Sequence, residues 1–179
     1  MAENLSGQDL SGQDLRGRKL AGAILSGANL SGSNLSGENL SGAELTGANL
    51  EGANLQEIGL EHAEMRGANL SGADMRDASM FCAGLIEAKL VGTQLAGADL
   101  SRAELRHADL SRADLSQVEA GRANLDDSKL DSANLHGADF RRAKFRNADM
   151  TGANLEGADM RGAKMTGANL EGALGWRSE

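Results

Sequence analysis

Every fifth residue from Leu5 to Leu170 is Leu, Met or Phe, with Ala120 the single exception, so 33 of 34 positions hold one register without a slip. Take this residue as the centre of a unit. Two residues before it, 24 of 34 positions are Ala; one before it, 20 of 34 are Asn or Asp; two after it, 20 of 34 are Gly. The unit A-(N/D)-L-x-G stands complete at Ala28-Asn29-Leu30-Ser31-Gly32 and again at Ala168-Asn169-Leu170-Glu171-Gly172. A fixed repeat of this kind decides the architecture before any single element does.

A five-residue period fits neither standard element. On an α-helix each step of five turns the side chain by about 500°, so successive leucines spiral round the axis and form no stripe. Repeated glycines inside a helix would also cost roughly 1 kcal/mol each relative to Ala. A continuous strand fails because an odd period sends alternate leucines to opposite faces. What survives is a short extended piece followed by a turn. Ala and the centre, two apart, point the same way, and Gly or a small polar residue permits the bend. Repetition coils the chain around its own leucines into a solenoid whose coils touch only their neighbours. Composition agrees. With three Ile, two Val, no Tyr, no Pro and only Phe81, Phe140, Phe145 and Trp176 as aromatics, a conventional mixed core is not available.

These units resemble those of pentapeptide-repeat proteins, and the resemblance runs from residue 3 to about residue 174. It implies an all-β fold, a right-handed quadrilateral β-helix with four pentapeptides per square coil. The 34 units then make about eight and a half coils, a rod about 40 Å long at roughly 4.8 Å per coil. The expected organisation is one domain over 1–179, with repeats at 3–172, a polar amino-terminal cap coil at 1–20 and a carboxy-terminal cap at 173–179. The first coil carries Glu3, Gln8, Gln13 and Arg18 at the inward small-residue positions, as a lid over an open solenoid end requires. At the other end Leu174 and Trp176 are expected to cover the last coil or to meet another chain. The resemblance favours a homodimer through that end.

Two irregularities bear on the core. Ala120 is the one small centre, and Val118, also inward, is larger than the usual Ala and partly compensates. Ile58 before Leu60 has no such partner and is expected to overpack or displace a coil. On the surface, residues twenty apart should stack. Asp99, Glu119, Asp139 and Asp159 then form one column, and Arg102, Arg122 and Arg142 a second on the same face. A solvated face is expected there; an anion-binding strip is diluted by the acidic neighbours.

Charge and chemistry narrow the function classes. The net charge of -8 disfavours direct nucleic-acid binding. One cysteine, Cys82, excludes an internal disulfide and a Cys-rich zinc site. No apolar run is long enough to cross a membrane, and the start lacks the charged and apolar regions of a signal peptide, so a cytoplasmic protein is expected. His62, His107 and His136 fall on different sides and cannot converge on a metal or a nucleophile. No phosphate-binding loop or dinucleotide fingerprint occurs. The expectation is a protein that is no enzyme and needs no cofactor.

Recognition must then come from outward positions. The residue after each centre is polar, charged or small almost throughout, but Phe81, Ile86 and Val91 break the rule in three consecutive repeats. They are the candidate contacts for a protein partner, with Phe81 and Ile86 expected to meet near a corner beside Cys82 and Glu87. The leading expectation is a protein-interaction scaffold or regulator. The resemblance also implies an alternative, a DNA-mimicking inhibitor or protector of a type II topoisomerase such as DNA gyrase. Against it, residues 101–150 hold nine charges of each sign. A structural spacer or a designed consensus-like repeat is the third reading.

Overall fold

The computed structural model describes residues 2–176, and in it the chain winds so that residues twenty apart lie side by side. Met1 and residues 177–179 of the expected carboxy-terminal cap lie outside the described residues. Single-residue parallel bridges join Asn4 to Ile24, Asn29 to Asn49 and Asn69 to Lys89, and the pattern continues to Asn154 and Leu174. Four five-residue sides separate bridged partners, so each circuit of the chain is four-sided. The sheet on each side is built from one bridge per coil.

The unit around Leu50 accounts for every backbone donor. The Ala48 N–H donates to the Leu45 carbonyl (3.0 Å), closing the turn before the unit. The Asn49 N–H reaches back one coil to the Ala28 carbonyl (2.9 Å), and the Leu50 N–H reaches forward to that of Asn69 (2.7 Å). The Gly52 N–H also reaches forward, to Ser71 (3.0 Å). Only the Glu51 N–H lacks a main-chain partner, and the Asn49 side-chain oxygen accepts from it (3.2 Å). All twenty Asn and Asp residues that precede a centre accept in this way from the backbone two residues on. This explains why the position favours those two residues: their short side chains serve the one donor the coils leave over.

The corner itself has the pattern of a type II turn. The centre's carbonyl accepts from the N–H three residues later, and the residue two after the centre has positive φ, as at Gly52 with φ 63°. The same left-handed conformation recurs in every unit, twenty times at Gly and fourteen times at other residues between Glu57 and Asn147. None of the fourteen is β-branched, the side-chain type for which such a backbone is most strained.

Centres and the residues two before them fill the interior, and from Leu25 to Met150 every centre is fully buried. Ala120 lies between Leu100 and Phe140 in its column, and Phe140 packs edge-on against Phe145 with ring centroids 5.0 Å apart. Ala120 and Val118 are both fully buried, so the small centre leaves no exposed gap. The expected displacement at Ile58 does not occur. Ile58 is fully buried, and the bridges Asn39–Gly59 and Gly59–Ser79 run through the unit unbroken. Room exists because Glu38, one coil earlier in the same column, sends its carboxylate out to the Gly17 N–H (2.5 Å).

The two ends differ. Glu3 and Arg18 form an ion pair across the first coil, and Gln8 and Gln13 lie exposed beside it, giving a polar lid over Leu5, Leu10 and Leu15. At the other end Met160, Met165, Leu170 and Trp176 are only partly buried, each packed against the core. Gly175 falls where the next centre belongs. A Cβ there would lie 2.5 Å from the Glu156 nitrogen, so the chain closes onto the previous coil as only glycine permits. Leu174 keeps the outward register, bridges Asn154 and remains 56% exposed.

Leu70, Leu90 and Leu110 share one inward column. Leu90→Ala is expected to cost about 2–5 kcal/mol, since neighbours tied by bridges on both sides have little freedom to collapse into the cavity. Chemical denaturation measures it, and a loss below about 0.5 kcal/mol would contradict the packing described.

Candidate functional site

The three apolar outward residues occupy three successive sides, each half-buried in a column of its own. Phe81 sits against the coils before and after it. Its ring meets His62 edge-on, centroids 5.8 Å apart, and the Arg102 guanidinium lies over it at 5.8 Å from the centroid. In its own column Phe81 lies between Glu61 and Ser101. Ile86 lies between Arg66 and Arg106 in its column, and Val91 between Ser71 and Ser111. Cys82, half-buried and free, follows Phe81, and Glu87 pairs with Arg66 at 2.9 Å. The corner between Phe81 and Ile86 is therefore mixed, with an aromatic ring, a thiol, an aliphatic side chain and an ion pair.

The charge columns form as the twenty-residue spacing requires. Bridges join Asp99 to Glu119, Glu119 to Asp139 and Asp139 to Asp159. Asp139 receives Arg141 (2.5 Å) and Asp159 receives Arg161 (2.6 Å). Arg102, Arg122 and Arg142 stack at the adjacent corner and make no ion pair among the described residues. Together the five arginines surround an open groove of about 470 Å³. Its floor is Ser101 and Gly121, small residues where Arg141 and Arg161 stand in the following coils. Across the corner the column Asn124–Lys144–Lys164 adds two more cations. Arg141 and Arg161 belong to this basic corner although the spacing of 102, 122 and 142 alone does not bring them in.

His62, His107 and His136 lie on three different sides. Among the described residues no three His, Cys, Asp or Glu side chains are grouped to hold a metal ion. No helix among them is long and apolar enough to cross a membrane. Most of the perturbed acids are aspartates that combine the turn-capping role with a partner two residues on; Glu61, lowered mainly by the Ser41 hydroxyl, and Asp126, paired one coil on, are exceptions. The Arg161 side chain, then its backbone N–H, draws the Asp159 carboxyl from the ordinary 3.8 to about 2. Arg16 does the same for Asp14, also to about 2. Asp139 and Asp74 are lowered by Arg141 and Arg76. At Asp126 burial pushes the carboxyl up, but the side-chain and backbone donors of Arg146 outweigh it and the net shift is downward. The five aspartates named here are held in structural ion pairs.

The family model of pentapeptide repeats matches in eight copies, spanning residues 4–37, 23–58, 43–80, 78–117, 108–147 and 138–174. The chain belongs to the pentapeptide repeat family, whose fold is the right-handed quadrilateral β-helix. Solved structures similar to it include HetL, a pentapeptide repeat protein involved in heterocyst differentiation regulation from the cyanobacterium Nostoc. The two are 33% identical over 96% of this chain and 86% of HetL, with a TM-score of 0.40. A trypsin-treated QnrB1, a plasmid-mediated fluoroquinolone resistance protein, aligns over 92% of this chain and 90% of its own, at 19% identity and a TM-score of 0.51. No curated protein matches the chain.

The paired aspartates fix the acid response. A carboxyl whose pKa is lower in the folded than in the unfolded chain stabilises the fold above the unfolded value. That contribution is lost as pH falls through the folded value. With Asp14 and Asp159 at about 2 and Asp74, Asp126 and Asp139 also lowered from 3.8, the denaturation midpoint should hold above about pH 5. It should fall steadily from about pH 4 to about pH 2. A midpoint unchanged across that window would show that these pairs add nothing to stability.

Proposed function

We propose that the protein is a non-enzymatic interaction scaffold or regulator that presents side chains at fixed spacing on the sides of a rigid solenoid. On this reading its 34 units wind about eight and a half coils into a single-domain rod about 40 Å long. The observation that carries the reading is the ladder of bridges from Asn4 to Leu174, interrupted only at Lys19 among the described residues, which sets the outward side chains in columns. Function then resides in what the columns display. Phe81, Ile86 and Val91 replace the polar rule in three consecutive units, and we assign the partner contact to them. Phe81 and Ile86 lead, because an aromatic and an aliphatic side chain beside an ion pair make an anchor with a polar rim. Leu174, exposed, and Trp176, packed on the last coil, are the corresponding contacts for a second copy at the carboxy-terminal end.

A second reading draws on the net charge of -8 and on the fold shared with QnrB1: a DNA-like inhibitor or protector of a type II topoisomerase. The basic corner weighs against it, since a phosphate-backbone mimic needs an acidic surface uninterrupted by arginines.

Two measurements separate these readings. Phe81→Ser with Ile86→Ser should leave the melting temperature within a few degrees while abolishing crosslinked capture of the partner from native extract. Loss of fold with capture retained would make the pair structural. DNA gyrase supercoiling should proceed undiminished at a large molar excess of the protein; inhibition would establish the topoisomerase reading instead.

A further inference from the structure

The basic corner carries three features that each cost stability. Arg102, Arg122 and Arg142 all occupy the left-handed corner position, with φ of 59°, 63° and 61°, where twenty other units place Gly. A non-glycine residue there costs about 1 kcal/mol or more. The three are stacked in successive coils, about 4.8 Å apart along the axis, so like charges face one another across neighbouring rungs. None of the three has a carboxylate partner among the described residues. Of the other described arginines, all but Arg112 pair with a carboxylate. The second groove, of about 450 Å³, also holds cations, but there Arg146 is bound to Asp126. At the corner of Arg122 and Arg142 every charged residue lining the groove is an arginine, with Arg141 and Arg161 on its flank.

We propose that this groove is a binding site for a compact oligophosphate anion, held between Arg102, Arg122 and Arg142 with Arg141 and Arg161 at its rim. Guanidinium groups donate paired hydrogen bonds to phosphate oxygens, and an anion bridging two rungs would relieve the repulsion within the column. The volume suits a small molecule. Size is limited by the surroundings. Asp99, Glu119, Asp139 and Asp159 run beside the groove, Glu104 stands at its amino-terminal end, and the chain carries a net charge of -8. An extended polyanion such as nucleic acid would meet those carboxylates, whereas a ligand confined to the groove meets the cations. Asp139 and Asp159 hold Arg141 and Arg161 in place through short ion pairs, which leaves the unpaired column to supply the main contacts. The site shares one residue, Arg102, with the partner contact proposed for Phe81 and Ile86, and its test varies only Arg122 and Arg142.

The backbone supplies a clean test, because glycine is the least strained residue at these positions. The double variant Arg122→Gly, Arg142→Gly should fold with a melting temperature equal to or above that of the parent. Titration calorimetry of the full chain at low ionic strength, with inorganic tripolyphosphate as probe, should give saturable binding that weakens as salt is added. The double variant should lose at least about tenfold in affinity, as expected when charge-assisted hydrogen bonds are removed. Arg112→Gly, the same backbone change on another side, should bind as the parent does. ATP in parallel separates two sources of the same chemistry: equal affinity assigns recognition to the phosphates alone, and tighter binding assigns a nucleotide. Absence of saturable binding overturns the proposal. So does equal loss in Arg112→Gly, affinity retained in the double variant, or citrate bound as tightly as tripolyphosphate.

Discussion

The structure depends on a corner that must be made every five residues. The turn needs one residue in the left-handed region, and it leaves one backbone N–H beyond the reach of either neighbouring coil. Both requirements are met within the unit. Positive φ falls two residues after each centre, and an Asn or Asp side chain before the centre serves the stranded donor in twenty units. Once the corner closes, the remaining amide groups point along the axis and pair with adjacent coils, and the centre is driven inward. Leucine is then selected by the shape of the interior, and Ala by the lack of room beside it. The repeat A-(N/D)-L-x-G is thus a list of what one corner needs, repeated along the chain.

Where the corner partner is absent, other atoms substitute. At Lys144 no short acceptor precedes the centre, and Asp126, one coil earlier, accepts from the Arg146 N–H at 2.8 Å while pairing with its guanidinium at 2.6 Å. Thr93, polar at an inward position, donates its hydroxyl to the Leu70 carbonyl (2.8 Å), and Ser33 and Ser128 donate to the carbonyl three residues before them (2.7 Å each). Deviations from the repeat are satisfied locally or from the adjacent coil because every coil lies one rung from the next. A solenoid distributes its constraints in this way; no single residue carries the fold.

Much of this was legible in the sequence because period, burial and stacking are arithmetic. The centres, the polar first coil and the twenty-residue columns follow from counting. The role of Asn and Asp did not follow, since their frequency gives no acceptor direction until the turn is built. Ile58 was misjudged because its space depends on where the Glu38 carboxylate goes, which is a rotamer and not a pattern. The arginine column at 102, 122 and 142 follows from the twenty-residue spacing, but its flanking Arg141 and Arg161 do not. Nine charges of each sign between 101 and 150 look neutral along the chain, yet winding sorts them by side.

That sorting bears on what the middle of the rod is for. Near the amino terminus every corner from Gly7 to Gly52 is glycine, the residue that makes the turn with least strain. From Glu57 to Asn147 fourteen corners give up that advantage for side chains, nearly all of them polar. A framework selected for stability alone would keep glycine throughout. The exchanged corners include His62 beneath the Phe81 ring, Cys82 beside it, Arg102 above it and the arginines that continue the column. The apolar belt and the basic corner therefore share one edge of the solenoid, where the chain trades backbone ease for surface chemistry. A partner seated on Phe81 would reach Arg102 within one coil, so an anion in the groove and a protein on the belt would both act on the same guanidinium. Arg102 is the residue through which one event would affect the other.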